Sequence, residues 1–291
     1  MKITPQQISP IRKMIARINN RLSKPSSNLH MKAVTSKAAR LGDGGSAYLR
    51  PSFSDWARLR EYQSSIYVPN NQLTMAVQRL SPSLLVDIGA NIGLSSLSLL
   101  NTFHSIDQII GIEAEKENFE VLKLNYELWK KNHSIKFEPI YAIASDTSAV
   151  DVTNINATRL AGGLSASGTF KFVSYSQSSA ALELSENDSQ KLKLEFSNRK
   201  IAITEVFESY LEKNSSVTAV VKVDIEGGEE ELFLGASDWL SRTAFLTVEI
   251  HDSMGAPNSS RALLEKLVLH DFAIVPEEDV LHCYNRKLLG L

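Results

Sequence analysis

Residues 84–94 read Leu-Leu-Val-Asp-Ile-Gly-Ala-Asn-Ile-Gly-Leu. Leu84 to Ile88 form an unbroken apolar run closed by one acid, the pattern of a parallel strand buried on both faces. Gly89 and Gly93 bracket a turn in which missing side chains let backbone approach a ligand. Asn91 lies between them and is the residue other than Gly that best tolerates positive φ. From Ile92 the apolar positions 92, 94, 97 and 100 recur at helical spacing without Gly or Pro. The order strand, tight turn, helix is the nucleotide-cradling opening of an α/β domain, although any strand-to-helix turn of such a protein shares part of it.

The next strand follows in Gln108-Ile-Ile-Gly-Ile-Glu113, and Glu113 stands where α/β nucleotide folds put the carboxylate that accepts two ribose hydroxyls. A dinucleotide fold wants G-x-G-x-x-G, which residues 89–93 lack. The turn resembles instead the acid-x-G-x-G-x-G pattern of S-adenosylmethionine (SAM) methyltransferases, with Asn91 in the middle glycine's place.

A helix is expected over 115–131, with Phe119, Leu122, Tyr126 and Trp129 on one face. A third strand is expected over 135–144, ending at Ser145 and Asp146. That loop would border the adenine, where Asp146 would accept the exocyclic amine or cap the turn. Residues 147–200 are rich in Ser, Thr, Asn and Gly and read as an inserted β-hairpin or lid, with strands at 169–175 and 191–196. Then Ala219 to Asp224 makes a buried strand, with Glu226 and Glu229 at the start of the helix after it. Helix-dipole complementation accounts for Glu229 to Glu231, but Asp224 points into the ligand crevice. The strand from Ala244 ends in Glu249-Ile-His251, whose Glu and His share one face if extended. A helix over 259–270 and strands over 272–275 and 280–284 close the domain. Near the front, Ser54 and Asp55 read as the N-cap and first turn of a helix over 56–65.

Of 291 residues, 43% are hydrophobic, enough for a sizeable core, and no 18-residue window is apolar and uncharged. A single cysteine, Cys283, excludes an internal disulfide and suggests a reducing, cytoplasmic setting. Residues 1–40 hold Lys2, Arg12, Lys13, Arg17, Arg21, Lys24, Lys32, Lys37 and Arg40 but no acid, so the remainder of this chain of net charge −2 is markedly acidic. An acidic body argues against nucleic acid as a partner. Residues 1–24 space Ile8, Ile11, Ile15, Ile18 and Leu22 as a basic amphipathic helix. It would lie on an anionic membrane, act as a transit peptide, or pack on its own domain or a second subunit. Residues 25–46 read as a linker, which gives a domain over 47–291.

Taken together, LRPSFSD at 49–55, VDIGANIG at 86–93, IEAEKEN at 112–118, VKVDIEGGEEELFLGA at 221–236 and VEIHD at 248–252 resemble the FkbM-type SAM-dependent methyltransferases. The resemblance implies an α/β, Rossmann-like, doubly wound sheet of seven mostly parallel strands, carrying an N-terminal helical extension and a lid insertion. It implies that Asp87, Gly89, Ala90, Asn91 and Gly93 hold the methionine part of SAM and Glu113 its ribose. Ser145 and Asp146 would flank the adenine. Asp224 would face the methyl group, and Arg50, Asp55 and Tyr67 would cover the pocket. The chain departs from the family at Ala114, where Pro commonly follows Glu, and at Glu205-Val206-Phe207, where Thr-Leu-Asp commonly starts a helix.

An alcohol is a weak nucleophile at neutral pH, so methyl transfer to a hydroxyl needs a base or a metal. Asp224, Glu226, Glu249 and His251 are the expected catalytic group, with His251 or Asp224 as base. Their carboxylates would also suit a divalent metal, though no spacing is diagnostic of one. The acceptor class that the family implies is a small molecule or glycan: a hydroxyl of a sugar, glycan or polyketide-like product. A SAM-binding scaffold without chemistry is the competing reading. A nicotinamide enzyme is disfavoured by the glycine pattern.

Overall fold

The computed structural model describes residues 38–41, 45–50, 53–146, 197, 199–211, 217–225, 228–251, 258–277 and 280–291. Expectations that fall elsewhere lie outside the described residues: the basic helix over 1–24, the hairpins within 147–196, and Glu226. In chain order the first elements are β1 (Ala39–Arg40), β2 (Ser46–Ala47), α1 (Phe53–Ser64), α2 (Gln72–Arg79), β3 (Leu84–Ile88), α3 (Leu94–Thr102), β4 (Gln108–Glu113) and α4 (Lys116–Lys130). Next come β5 (Lys136–Tyr141), β6 (Ile143–Ser145), β7 (Lys200–Ala202), α5 (Ile203–Leu211), β8 (Ala219–Val223) and α6 (Glu229–Leu234). A 3₁₀ turn (Asp238–Arg242), β9 (Thr243–Glu249), α7 (Ser259–Leu269), β10 (Phe272–Glu277), β11 (Val280–Asn285) and α8 (Arg286–Leu289) complete it.

Seven strands make one sheet in the order β10-β11-β9-β8-β3-β4-β5. The five from β9 to β5 run parallel, and β11 is antiparallel to both of its neighbours. Every residue of β3, β4 and β8 is buried, as continuous apolar runs with helices on both faces require. Side chains alternate between two cores. Leu84, Val86 and Ile88 pack with Val221, Val223 and Leu246 beneath α5, α6 and α7. Leu85 packs with Ile109, Val220 and Phe245 beneath α3 and α4, where Leu97, Leu122, Tyr126 and Trp129 close the layer. This is the doubly wound architecture that the sequence predicts. From β3 the chain adds β4 and β5 on one side, then crosses to β8 and β9 on the other. The carboxyl ends of β3 and β8 therefore flank the crevice where open α/β sheets bind ligands.

Several local expectations change. The third strand stops at Tyr141, opposite Glu113. There β4 ends and the chain turns into α4, so the ladder has nothing further to offer. Ile143 to Ser145 pairs instead with β7 in a separate two-stranded parallel sheet. Helix α1 starts at Phe53, which puts Ser54 inside it rather than at its N-cap. The packed chain also begins before residue 47. Ala39–Arg40 pairs with Ser46–Ala47, Leu41 is buried, and the Trp129 indole Nε1 donates to the Ser46 carbonyl at 2.7 Å. Prolines mark the sheet edges, Pro139 in β5 and Pro276 in β10, where a missing N–H costs least. Among the described residues no helix is long and apolar enough to cross a membrane.

Candidate active site

The turn after β3 takes the conformation its residues permit: φ is +78° at Gly89, +51° at Asn91 and +88° at Gly93. A Cβ at residue 89 would overlap the carbonyl oxygen of Asp224, so the ends of β3 and β8 touch backbone to backbone. The Asp224 N–H donates to the Ile88 carbonyl at 3.0 Å and extends that contact. Gly93 is the N-cap of α3. Ala90, Asn91, Ile92, Leu94 and Ser95 line a small pocket over the turn, together with Arg58, Tyr67 and Lys222.

Two acids hold this turn from opposite sides. Asp87 is fully buried, and its Oδ2 accepts from the hydroxyls of Ser95 at 2.7 Å and Ser96 at 2.6 Å. Asp87 thus ties the end of β3 to the first turn of α3. Glu113 Oε2 accepts the Asn91 N–H at 2.8 Å, and its Oε1 accepts the Glu115 N–H at 2.7 Å. Burial pushes the Glu113 carboxyl up to about 7, against the pull of those backbone donors and of Lys222.

Lys222 is a charged residue in the middle of a buried strand, with a side chain only 3% exposed. Its Nζ donates to the Gly89 carbonyl at 2.7 Å and lies 3.4 Å from both Asp87 Oδ1 and Asp224 Oδ2. Burial alone would strip its proton, but Asp224 and Asp87 hold the ammonium above its ordinary range. It also sits over the Tyr67 ring, 5.8 Å from the centroid. On the other side of Asp224, Arg58 Nη1 lies 3.0 Å from Asp224 Oδ2 and 3.0 Å from Glu61 Oε2. Tyr67 donates to that Glu61 oxygen at 2.6 Å. Burial works against ionisation of Asp224, yet Lys222, Arg58 and His251 together bring it down to about 2.

Asp224, Glu249 and His251 offer ligand atoms that all lie within 4.8 Å of one another. His251 Nε2 faces Glu249 Oε1 at 3.4 Å, and its Nδ1 lies 2.8 Å from Glu229 Oε1. Glu229 is fully buried. Its carboxylate behind the imidazole fixes the ring, while the buried Nε2 on the other side faces Glu249.

The structure therefore brings together Ala90, Asn91, Glu113, Tyr67, Asp224, Glu249 and His251, while Gly89 and Gly93 shape the turn. Other expected residues are engaged elsewhere. The Arg50 guanidinium closes on Asp55, with Nη2 to Oδ1 at 2.7 Å, and reaches Asn118 of α4 at 2.6 Å. This pair clasps the front of the domain to α4 and is absent from the pocket lining, so Asp55 does more than complement a helix dipole. Asp146 accepts from the Thr204 hydroxyl at 2.7 Å and from the Trp239 indole at 3.3 Å. It thus ties the end of β6 to the start of α5 through the Thr204 N–H and hydroxyl, a role that neither sequence reading of Asp146 included. The Ser145 hydroxyl donates to Glu231 Oε1 at 2.8 Å. Sequence reasoning missed Arg58 and Lys222, and it placed Glu229 at a helix start without its contact to His251. Lys222 carries the available signal, a charge inside the apolar run Ala219–Val223.

A family model described as the methyltransferase FkbM domain matches residues 87–274. No curated protein sequence matches the chain. Among solved structures, methyltransferase FkbM from Methylobacillus flagellatus KT is 14% identical with a TM-score of 0.42; the match covers 79% of this chain and 60% of that one. The O-methyltransferase from Bacillus cereus, in complex with SAH, is 10% identical with a TM-score of 0.37, covering 79% of this chain and 89% of that one.

Proposed function

The chain belongs to the methyltransferase FkbM domain family, and from that membership we propose an enzyme that transfers the methyl group of SAM to a hydroxyl. In this reading the donor lies across the carboxyl ends of β3 and β4. Its ribose hydroxyls donate to Glu113, whose carboxylate the Asn91 and Glu115 amides already hold in place. Its sulfonium faces Asp224, a carboxylate that stays ionised at any working pH because two cations attend it.

That same property argues against Asp224 as the base. A carboxyl held near 2 binds a proton too weakly for general-base work near neutrality, where an imidazole is well matched. His251 is the better assignment: Glu229 takes the proton side of the ring, and Nε2 accepts the acceptor's proton as the oxygen attacks the methyl carbon. The C–O bond forms as the S–C bond breaks in line, SAH leaves as the neutral thioether, and the proton ends on His251. Glu249, 3.4 Å from Nε2, then stabilises the imidazolium. The observation that carries this reading is the Glu229–His251–Glu249 series set beside a permanently charged Asp224.

A divalent ion would find suitable oxygen and nitrogen donors in Asp224, Glu249 and His251. Arg58 and Lys222 already place two positive charges on Asp224, so the proposed mechanism assigns no step to a metal. The acceptor class, a hydroxyl of a sugar, glycan or polyketide-like product, comes from the resemblance and not from the pocket.

The test is SAM-to-SAH turnover over a panel of hydroxyl acceptors, for wild type and His251→Asn. The expected loss in the variant is about 10²–10⁴-fold in kcat with SAH affinity kept. Undiminished turnover in His251→Asn removes the base assignment. Tight SAH binding without turnover on any acceptor favours the scaffold reading.

A further inference from the structure

We propose that Arg58 binds the α-carboxylate at the methionine end of the donor, and that it reaches that group by giving up its contact with Asp224. The inference rests on the donor reading above and adds a residue and an exchange of ion pairs that the reading does not require.

Arg58 lines the same pocket as Ala90, Asn91, Ile92, Leu94 and Ser95, the turn and first helical residues over which an aminocarboxylate would lie. Two cations face that pocket, and they differ in freedom. Lys222 projects from the central strand β8 and is fixed by the Gly89 carbonyl, Asp87 and Asp224, with a side chain 3% exposed. Arg58 projects from α1, which lies over the pocket, and its side chain is 22% exposed. A single nitrogen, Nη1, makes its contacts to both Asp224 and Glu61. A guanidinium has five N–H donors in a planar fork, suited to a bidentate hold on a carboxylate.

Charge accounting decides whether the exchange is tolerable. Withdrawing Arg58 from Asp224 and putting nothing in its place would leave a carboxylate 6% exposed with Lys222 as its remaining cation, a costly arrangement. The donor brings its own replacement. Its methionine end is a zwitterion with a sulfonium one short chain away, so Asp224 gains a cation as Arg58 gains an anion. Asn91 Oδ1 adds a second receptor for the ammonium: among the described residues it is buried with no hydrogen-bond partner. The internal pair has the charge pattern of the ligand that would displace it. Asp224 consequently meets the sulfonium only once the carboxylate end is seated, which makes its charge available to the donor and not to solvent cations.

The experiment is calorimetric titration of wild type, Arg58→Ala and Arg58→Lys with two probes. SAM carries both the aminocarboxylate and the sulfonium, whereas 5′-methylthioadenosine has the same adenosine on an uncharged thioether without the aminocarboxylate. Arg58→Ala is expected to weaken SAM by about tenfold or more, with Arg58→Lys in between, while 5′-methylthioadenosine stays within about twofold of wild type. Retained affinity for the shorter probe also reports an intact pocket. If Arg58→Ala weakens both probes equally, or neither, the proposal is overturned and the donor reading stands. Wild type that binds neither probe removes the donor reading itself. In a crystal structure with SAM, whose sulfonium can replace the guanidinium beside Asp224, Arg58 should hold the ligand carboxylate and have left Asp224; a guanidinium still on Asp224 overturns the exchange.

Discussion

Glu113 sits at a conflict that pH exposes. Burial holds its carboxyl up to about 7, while the proposed role needs an ionised acceptor for two ribose hydroxyls. Protonation converts one acceptor site into a donor, so SAH affinity should fall as pH drops from about 8 to about 6. Glu113→Gln should bind more weakly throughout and lose that dependence. A wild-type affinity that is flat over the range would take Glu113 off the ribose. Folding responds with the opposite sign. A folded pKa raised from 4.5 to about 7 adds stability that is present below the lower value and lost as pH rises through the upper one, so ionised Glu113 favours the complex and not the empty fold. Gly89 gives a sharper structural test. Ala there combines strained φ with overlap on the Asp224 carbonyl, a backbone atom that cannot rotate away. The expected destabilisation is about 1–3 kcal/mol with loss of SAH binding. Gly290→Ala, also at positive φ but with nothing within 4 Å, should cost less and leave binding alone; equal effects would mean that the overlap is relieved. Both Gly89 and Glu113 were legible in the sequence, because strand ends and turn glycines write their demands locally. Arg58 was not: its partner Asp224 is 166 residues away, and an Arg on a helix is ordinarily a solvated one. Glu229 does stand in the first turn of α6, but its burial against His251 was not legible because the next strand over sets it.

The helices hold the site through a few polar ties, and Asn125 of α4 is the most exacting. It is fully buried, accepts the Tyr48 N–H at 2.6 Å, and donates to the carbonyls of Tyr48 at 3.2 Å and Ile92 at 2.8 Å. One side chain thus joins the front segment, the glycine turn and α4. Asn125→Leu would fill the same space while leaving those backbone groups without partners. Each such orphan costs about 1–3 kcal/mol, so stability should fall by roughly 3 kcal/mol in denaturant titration. A change below about 0.5 kcal/mol would show that the surrounding backbone finds other partners. The sequence displays the apolar face of α4 through its 3.6-residue period, but a buried Asn within that helix looks like any polar residue of an exposed face. The same limit explains β6. Apolar content marks Ile143 to Ser145 as strand, and only the ending of β4 decides that it joins a different sheet.

At the scale of the molecule, the crevice spans the line where strand order reverses. Glu113 and the glycine turn belong to β3 and β4, whereas Asp224, Glu249 and His251 belong to β8, β9 and the residue pair beyond. The sheet keeps two cores, one per face, and both run across that line: Val86 packs with Val221 on one side, and Leu85 with Val220 on the other. Neither half of the sheet therefore owns a core that could survive alone, and the described domain should melt in one transition. A donor that touches both halves must then stabilise all of it. SAH at about a hundred times its Kd adds about 2.7 kcal/mol by mass action, which corresponds to a rise in Tm of roughly 5–10 °C for a domain of this size. NAD at the same concentration should leave Tm unmoved, since the turn offers no second phosphate cradle. The shift should follow the logarithm of SAH concentration at constant protein concentration. Two resolved transitions with only one responding to SAH would show that the cores unfold separately, and that the ligand rests on a single half of the sheet.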